Sequence, residues 1–311
     1  MSADWAAAYD GCVLCPRQCR AERRAGQRGV CGETVECFVA SIGPHFGEEP
    51  CFSGTRGSGT FFFRGCASRC FFCQNHQISR GGVGTPMSVE ALFAAAEQLI
   101  AQGVHNLNFV TGDHFWPHLA ELARRLRAAG HGIPLLLNTS GYVLAERVPE
   151  YARWMDIFLP DYKFADPDLA RTCMGDARYP ELALDALREM VAAKGFLHPF
   201  DPAGRETARE GVLVRHLVLP DEVENSIAAL RRLRDAFGPR LPLSVMSQYR
   251  PVPGARGRGE FERRLRADEY AAVRAAVEDL EFENVFVQEF VNDDAFFPDF
   301  EADRPFRGNE R

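Results

Sequence analysis

Residues 59–75 read GTFFFRGCASRCFFCQN, a short apolar run followed at once by three cysteines, Cys66, Cys70 and Cys73. GTFFFR has the length and aromatic content of a buried strand. Three thiolates on one short loop can hold three irons of a [4Fe-4S] cube and leave the fourth iron open. An open iron can bind a substrate or cofactor, whereas a fully ligated cluster only moves electrons. Buried free cysteines, or part of a zinc knuckle, are the other readings of this spacing.

Outward from that loop, apolar runs alternate with helical patterns. After Gly59–Arg64, the strand candidates are His105–Thr111, Pro134–Asn138, Asp156–Pro160, Val212–Leu219, Leu241–Met246 and Asn284–Glu289. Between them the periodicity predicts helices over Ser88–Ala101, Pro117–Ala129, Glu181–Ala193, Glu224–Phe237 and Ala267–Leu280, with Ser88 as an N-cap. Such alternation with continuously apolar strands argues for an α/β fold with a parallel sheet and helices outside. Several strands end in polar residues (TGDH, NTSG, DYK, RH, SQYRP). Sites of parallel βα folds form at the C-terminal ends of strands, and so many ends meeting at one place fits a partial barrel better than an open sheet. Residues 1–55 read as a loop-rich module, 56–290 as the core, and 291–311, with AFFPDF and RPF, as a tail returning aromatics to the body.

The module holds a second cysteine set, Cys12, Cys15, Cys19 and Cys31, on turns marked by Pro16, Gly26 and Gly29. Four thiolates so placed suit a structural zinc or a second, fully ligated cluster, either of which would staple a module too small to fold on its own core. Cys37 and Cys51 have no evident partner and read as buried thiols. Nine of the ten cysteines precede residue 74, a clustering that points to metal rather than disulfides in a cytoplasmic chain. The net charge of -7 weighs against a nucleic-acid partner. No stretch approaches the ~20 apolar residues of a membrane span, and the N-terminus lacks a basic and apolar leader, so the expectation is a cytoplasmic protein away from membranes. The arginines at 17, 20, 23 and 24 read as a solvated basic face.

The cysteine spacing, with the aromatic Phe72 directly before the third cysteine, resembles the signature of the radical S-adenosylmethionine (SAM) superfamily. Beyond it, GTRGSGTFFFRGCASRCFFCQN, NTSGY, DIFLPDYKF, VRHLVLP, MSQYRP and FVQE are similar to the pyruvate-formate-lyase-activating-enzyme-like iron–sulfur proteins. The resemblance implies a partial (β/α)6 TIM-like barrel bearing a [4Fe-4S] cluster on Cys66, Cys70 and Cys73. SAM would chelate the open iron, and one electron from a low-potential donor (flavodoxin or ferredoxin) would cleave it to methionine and a 5'-deoxyadenosyl radical. Phe72, Gly112, Asp113, Asn138 and Ser140 take the places of SAM contacts, although Thr111-Gly112-Asp113-His114 departs from the family's Gly-Gly-Glu loop. Asp161 and Lys163 resemble the Asp-x-Lys of the glycyl-radical activases. Lys163 is one of only two lysines in an arginine-biased chain, and arginine cannot replace a compact ammonium at every site. Arg215 and His216 face opposite sides of their strand, so one reaches SAM or substrate while the other is structural.

Two enzyme functions follow from the resemblance. The radical acts directly on a small molecule, for example epimerising a carbon in a sugar or natural product, or the protein installs a glycyl radical on a partner enzyme. A cluster protein that only carries electrons is the remote third reading. Cys173, the only cysteine outside the N-terminal quarter, is expected on the loop after a barrel strand. There a thiol would return a hydrogen atom to a substrate radical, as an epimerase requires.

Overall fold

The computed structural model describes residues 4–290 and 294–309; the first three residues, 291–293 of the tail, and 310–311 lie outside the described residues. The strands in chain order are β1 (Phe38–His45), β2 (Ser58–Phe63), β3 (Thr85–Pro86), β4 (Leu107–Val110), β5 (Leu135–Thr139), β6 (Ile157–Pro160), β7 (Gly211–Val212), β8 (Val214–Leu217), β9 (Leu243–Met246) and β10 (Val285–Val287). The helices are α1 (Pro50–Ser53), α2 (His76–Ser79), α3 (Val89–Gln102), α4 (Trp116–Ala128), α5 (Val148–Ala152), α6 (Pro167–Met174), α7 (Tyr179–Lys194), α8 (Val223–Phe237) and α9 (Ala267–Asp279).

One sheet runs β3-β1-β2-β4-β5-β6-β7 and a second β10-β9-β8. β7 and β8 are two halves of one run broken at Leu213. The first half pairs with β6 and the second with β9, and a parallel bridge between Asp161 and Arg215 carries β6 over to β8. The pairings along β2-β4-β5-β6-β7 and along β8-β9-β10 are all parallel. The result is an α/β partial barrel with helices outside.

β2, β4 and β6 are buried at every position, the mark of strands covered on both faces. Phe61, Phe63 and Phe109 stack across β2 and β4, while Leu119, Leu122 and Leu126 of α4 close the outside. Each such side chain contributes roughly 1.5–3 kcal/mol by leaving water. Ser88 caps α3 by accepting from the Ala91 N–H at 3.2 Å, and Gly103 ends it at φ 81°.

Three expectations need correction. β1 lies inside the stretch assigned to the loop-rich module, yet it pairs antiparallel with β2 from Val39–Phe63 to His45–Ser58. Gly43 and Pro44 hide it in the sequence. Pro44 is tolerated because β3 pairs only with Phe38 and Val39, so its missing N–H faces an open edge. Cys173 sits in α6 rather than a loop, and the signs were present: Asp166 accepts from Asp168 N–H, Pro167 follows, and Gly175 ends the helix at φ 76°. The basic face is the third. Arg23 is 1% exposed, between the rings of Tyr9 and Phe115. Arg17 is half-buried, leaving Arg20 and Arg24 exposed.

In the tail, Phe296 and Phe306 pack on His45, and Phe300 and Phe306 on Phe62. Among the described residues no helix is long and apolar enough to cross a membrane.

Candidate functional site

The cysteine loop leaves β2 through Gly65, whose φ is 81°. A Cβ there would meet Glu33 Cγ at 2.5 Å and the Cys31 carbonyl at 2.9 Å, so only glycine lets the loop lie against the N-terminal module. Arg69, at φ 53°, makes the second left-handed bend. These turns bury Cys66 and Cys70, leave Cys73 half-buried, and bring all three to the wall of one cavity of about 620 Å³. None is in a disulfide. Burial pushes the Cys66 thiol up to about 11 and the Cys70 thiol up to about 12; a positive charge nearby, here Lys163, acts against that on Cys70.

The strand ends surround the same cavity. Thr111 follows β4, Asn138–Ser140 end β5, Asp161 and Lys163 follow β6, Arg215 belongs to β8, and Met246 and Gln248 end β9; all line it with Phe72. Ser140 and Ser68 hydroxyls, 2.6 Å apart, tie β5 to the cysteine loop. Lys163 Nζ is ion-paired with Asp161; burial works against its charge, but Asp161 and Cys70 raise its pKa. Behind them the buried Tyr179 hydroxyl takes the Lys163 N–H and points to the carbonyls of Ser140 and Asp161, each at 3.0 Å. Gly141 makes this closeness possible. At φ 73°, a Cβ there would stand 2.1 Å from the Asp161 carbonyl oxygen.

Other expected residues sit differently. Gly112 and Asp113 are set back from the cavity, which Thr111 reaches instead with its own φ of 55°. Asp113 is buried, its Oδ1 unpartnered among the described residues, and burial lifts its pKa to about 6. His216 does face away from Arg215. Its ring lies 2.7 Å from the Tyr162 carbonyl, and burial lowers its pKa to about 4, so it is neutral near pH 7. Arg215 faces the cavity but is held by Glu48 and by both oxygens of Glu49, at 2.9 and 2.5 Å. Those two carboxylates were not foreseen; they lie more than 160 residues before their partner, and no local pattern announces such a pair. Cys173 does not line the cavity. It lies behind the loop, where its carbonyl accepts from the Phe71 N–H at 3.1 Å, and it borders a separate shallow depression.

Cys12, Cys15 and Cys31 are buried and Cys19 half-buried. A Cβ on Gly29 would lie 3.2 Å from Cys31 Sγ and 3.4 Å from Cys19 Sγ, so these two thiols flank one point. Gln18 and Arg20, at φ 40° and 54°, turn the chain on either side of Cys19. The module abuts the three-cysteine loop, since the Cys66 N–H donates to the Cys31 carbonyl at 3.2 Å. Among the described residues no group of three or more His, Cys, Asp or Glu is arranged to hold a single metal ion. Cys37 and Cys51 are buried.

The cavity suits the group that its thiols imply. Three soft donors open on one space, with polar strand ends opposite. Asn75 Oδ1 and Ser79 Oγ, from residues lining the same cavity, are buried without partners among the described residues, and buried polar atoms call for a polar ligand.

Residues 60–234 match the sequence model of the radical SAM superfamily. An uncharacterized protein of Methanocaldococcus jannaschii is 25% identical over 270 residues, which cover 84% of this chain and 72% of that one. Among solved structures, anSMEcpe with bound AdoMet is similar at a TM-score of 0.50 and 12% identity, covering 72% of this chain and 61% of that one. Methylornithine synthase (PylB) gives 0.49 and 14%, covering 79% and 73%. SuiB of Streptococcus suis bound to S-adenosylmethionine gives 0.49 and 11%, covering 72% of this chain; the chain spans about half of SuiB, 48%.

Proposed function

Because the chain belongs to the radical SAM superfamily, we propose that it cleaves SAM reductively on a [4Fe-4S] cluster held by Cys66, Cys70 and Cys73 and takes hydrogen from a small molecule in the same cavity. The observation that carries this is the meeting of three unbridged thiols and the polar ends of successive parallel strands on one cavity of about 620 Å³. When bound, the cluster and SAM supply a one-electron cleavage yielding a 5'-deoxyadenosyl radical.

The protein's part is to bind, orient and exclude water. Asn138 and Ser140 offer hydrogen bonds to the carboxylate or ribose of SAM, and the turn at Thr111, backed by Gly112 and Asp113, offers backbone groups to its amino end. Phe72 gives an apolar face. Lys163, kept charged by Asp161, places a cation beside Cys70 and compensates negative charge gathered there. Arg215, already spoken for by two carboxylates, helps shape the substrate end rather than grip SAM. The metal-binding module would end near residue 37, with zinc or a second cluster on Cys12, Cys15, Cys19 and Cys31; β1 and α1 go with the core, and Phe296 and Phe306 of the tail reach the cavity.

Direct small-molecule chemistry is favoured over the activation of a partner enzyme, despite the likeness to pyruvate-formate-lyase-activating-type proteins. Phe296 and Phe306 wall the cavity, whereas an activase must admit a loop of a folded protein. Cys173 lies outside that cavity, so epimerisation by a hydrogen atom from this thiol is not part of the proposal.

The test is anaerobic reconstitution with iron and sulfide, followed by reduction in the presence of SAM. The wild type should form 5'-deoxyadenosine and the Cys66→Ala/Cys70→Ala/Cys73→Ala variant none. Cleavage by that variant would refute the assignment.

A further inference from the structure

On the outer side of the cysteine loop lies the shallow depression that Cys173 borders, and it is strongly basic. Arg17, Arg69, Arg80, Arg171 and Arg258 line it and no carboxylate does. Arg80, Arg171 and Arg258 are exposed, while Arg17 and Arg69 are half-buried. Among the described residues, only Arg171 of these five has an ion-pair partner, the exposed Asp168. The others are fixed by uncharged groups: Arg17 by the carbonyls of Ala67 and Met174, Arg69 by that of Val30, Arg80 by that of Arg69, and Arg258 by its place 4.3 Å over the Phe71 ring. Their charge is therefore held in place and left unneutralised, on a chain whose net charge is -7. Beside them Val30 is 41% exposed, giving an apolar spot within a basic rim.

Its location gives the patch a direction. Phe71 at its floor follows Cys70 in the chain, and the Phe71 ring meets Phe72 edge-on at 5.5 Å. Phe72 lines the inner cavity with the cysteines. One thickness of loop thus separates the basic surface from the thiols, on the side away from the strand ends.

We propose that this depression is the docking surface for a small acidic one-electron carrier protein, which binds through Arg80, Arg171 and Arg258 over Phe71. The proposal rests on the reading that Cys66, Cys70 and Cys73 hold a cluster. In the complex the carrier loses one electron and is oxidised, the cluster gains it and is reduced by one, and no proton or bond is transferred. Such encounters are small, weak and electrostatically steered. A nucleic acid would also seek arginines, but the acidic balance of the chain favours an acidic protein that touches only this patch.

The experiment titrates an acidic flavodoxin into the reconstituted full-length chain by calorimetry at low and moderate salt. It then follows reduction of the cluster by the reduced flavodoxin and, separately, by dithionite. The wild type should bind micromolarly and lose affinity as salt rises. Arg80→Glu/Arg171→Glu/Arg258→Glu should weaken binding by about tenfold or more and slow reduction by flavodoxin comparably. Dithionite should reduce both proteins at one rate. Should the triple variant fold poorly, Arg171→Glu alone, which changes a fully solvated pair, should weaken binding by about threefold. Undiminished flavodoxin binding by either variant would overturn the proposal. So would tighter, arginine-dependent binding of a short RNA. Failure of the cluster assignment would show separately, as iron content that does not depend on Cys66, Cys70 and Cys73, while the binding titration would still read out.

Discussion

Replacing Arg215 by Met separates a structural cation from a cofactor contact. The guanidinium satisfies Glu48 and Glu49, and Asn108 adds a 2.8 Å hydrogen bond to Glu48. All three charged side chains are at most 12% exposed. Removing the cation strands two buried carboxylates, and breaking a buried pair from one side costs about 3–5 kcal/mol. For 311 residues at ~2.1 cal/mol/K each, the unfolding entropy is ~0.65 kcal/mol/K, so Tm should fall by about 5–8 °C. The pH dependence is diagnostic. Burial alone would raise the pKa of Glu48, but Arg215 outweighs it and holds the carboxyl below its usual range. A depressed folded pKa gives stability that is present above the unfolded value, ~4.3, and lost as pH falls through the folded one. The wild-type contribution is thus constant from pH 5.5 to 8. In the variant Glu48 keeps its burial and loses its cation, so its folded pKa moves upward and the deficit shrinks as pH falls. Thermal unfolding under anaerobic conditions at pH 8 and 5.5 measures both, and Glu48→Gln/Glu49→Gln added to Arg215→Met should restore most of the loss. Wild-type Tm at both pH values with weakened SAM binding would refute the reasoning and make Arg215 a SAM ligand.

Three further outcomes are expected. The Cys66→Ala/Cys70→Ala/Cys73→Ala variant should retain about one zinc or about four irons per chain on the tetracysteine, read by metal analysis; neither would reduce that set to ordinary thiols. Gly141→Ala should lower Tm, because the left-handed φ costs about 1–2 kcal/mol and the methyl meets the Asp161 carbonyl; SAM affinity by calorimetry should fall with it, and an unchanged affinity would detach this turn from the site. Cys173→Ala should leave 5'-deoxyadenosine formation unchanged, and in deuterated water its product should carry the same deuterium as that of the wild type; deuterium present in the wild-type product and lost in the variant would return that thiol to the reaction.

The parallel strands were legible because burial on both faces leaves an unbroken apolar run, as in Phe61–Phe63 and Leu135–Leu137, and the intervening helices because one face must be apolar. β1 was not, since Gly43 and Pro44 are permitted by an open edge that only the assembled sheet reveals. The lining of the cavity was legible where sequence pattern is local, as in the cysteine loop, or where a strand end turns polar, as at Asn138, Asp161 and Lys163. Depth within the barrel was not. Asp113 and Thr111 are two residues apart, yet the positive φ of Thr111 turns one to the cavity and buries the other. The ion cluster at Arg215 escaped for a different reason. Its partners come from β1–α1, whose place beside β8 depends on the closing of the whole barrel.

The same dependence links the two cysteine sets. The loop bearing Cys66 is tied to the N-terminal module by hydrogen bonds: its Cys66 N–H is taken by the Cys31 carbonyl, and the Arg17 guanidinium ties the Ala67 carbonyl to that of Met174. Arg23, buried between aromatic rings, joins the Thr34 and His114 carbonyls. Residues 17 to 34 therefore buttress the loop from outside as Ser140 does from within. Ordering the backbone of so short a module costs about 1–2 kcal/mol per residue. Were a metal held on its thiolates it would add order of its own, and the tetracysteine would then act on the three-cysteine loop as its foundation.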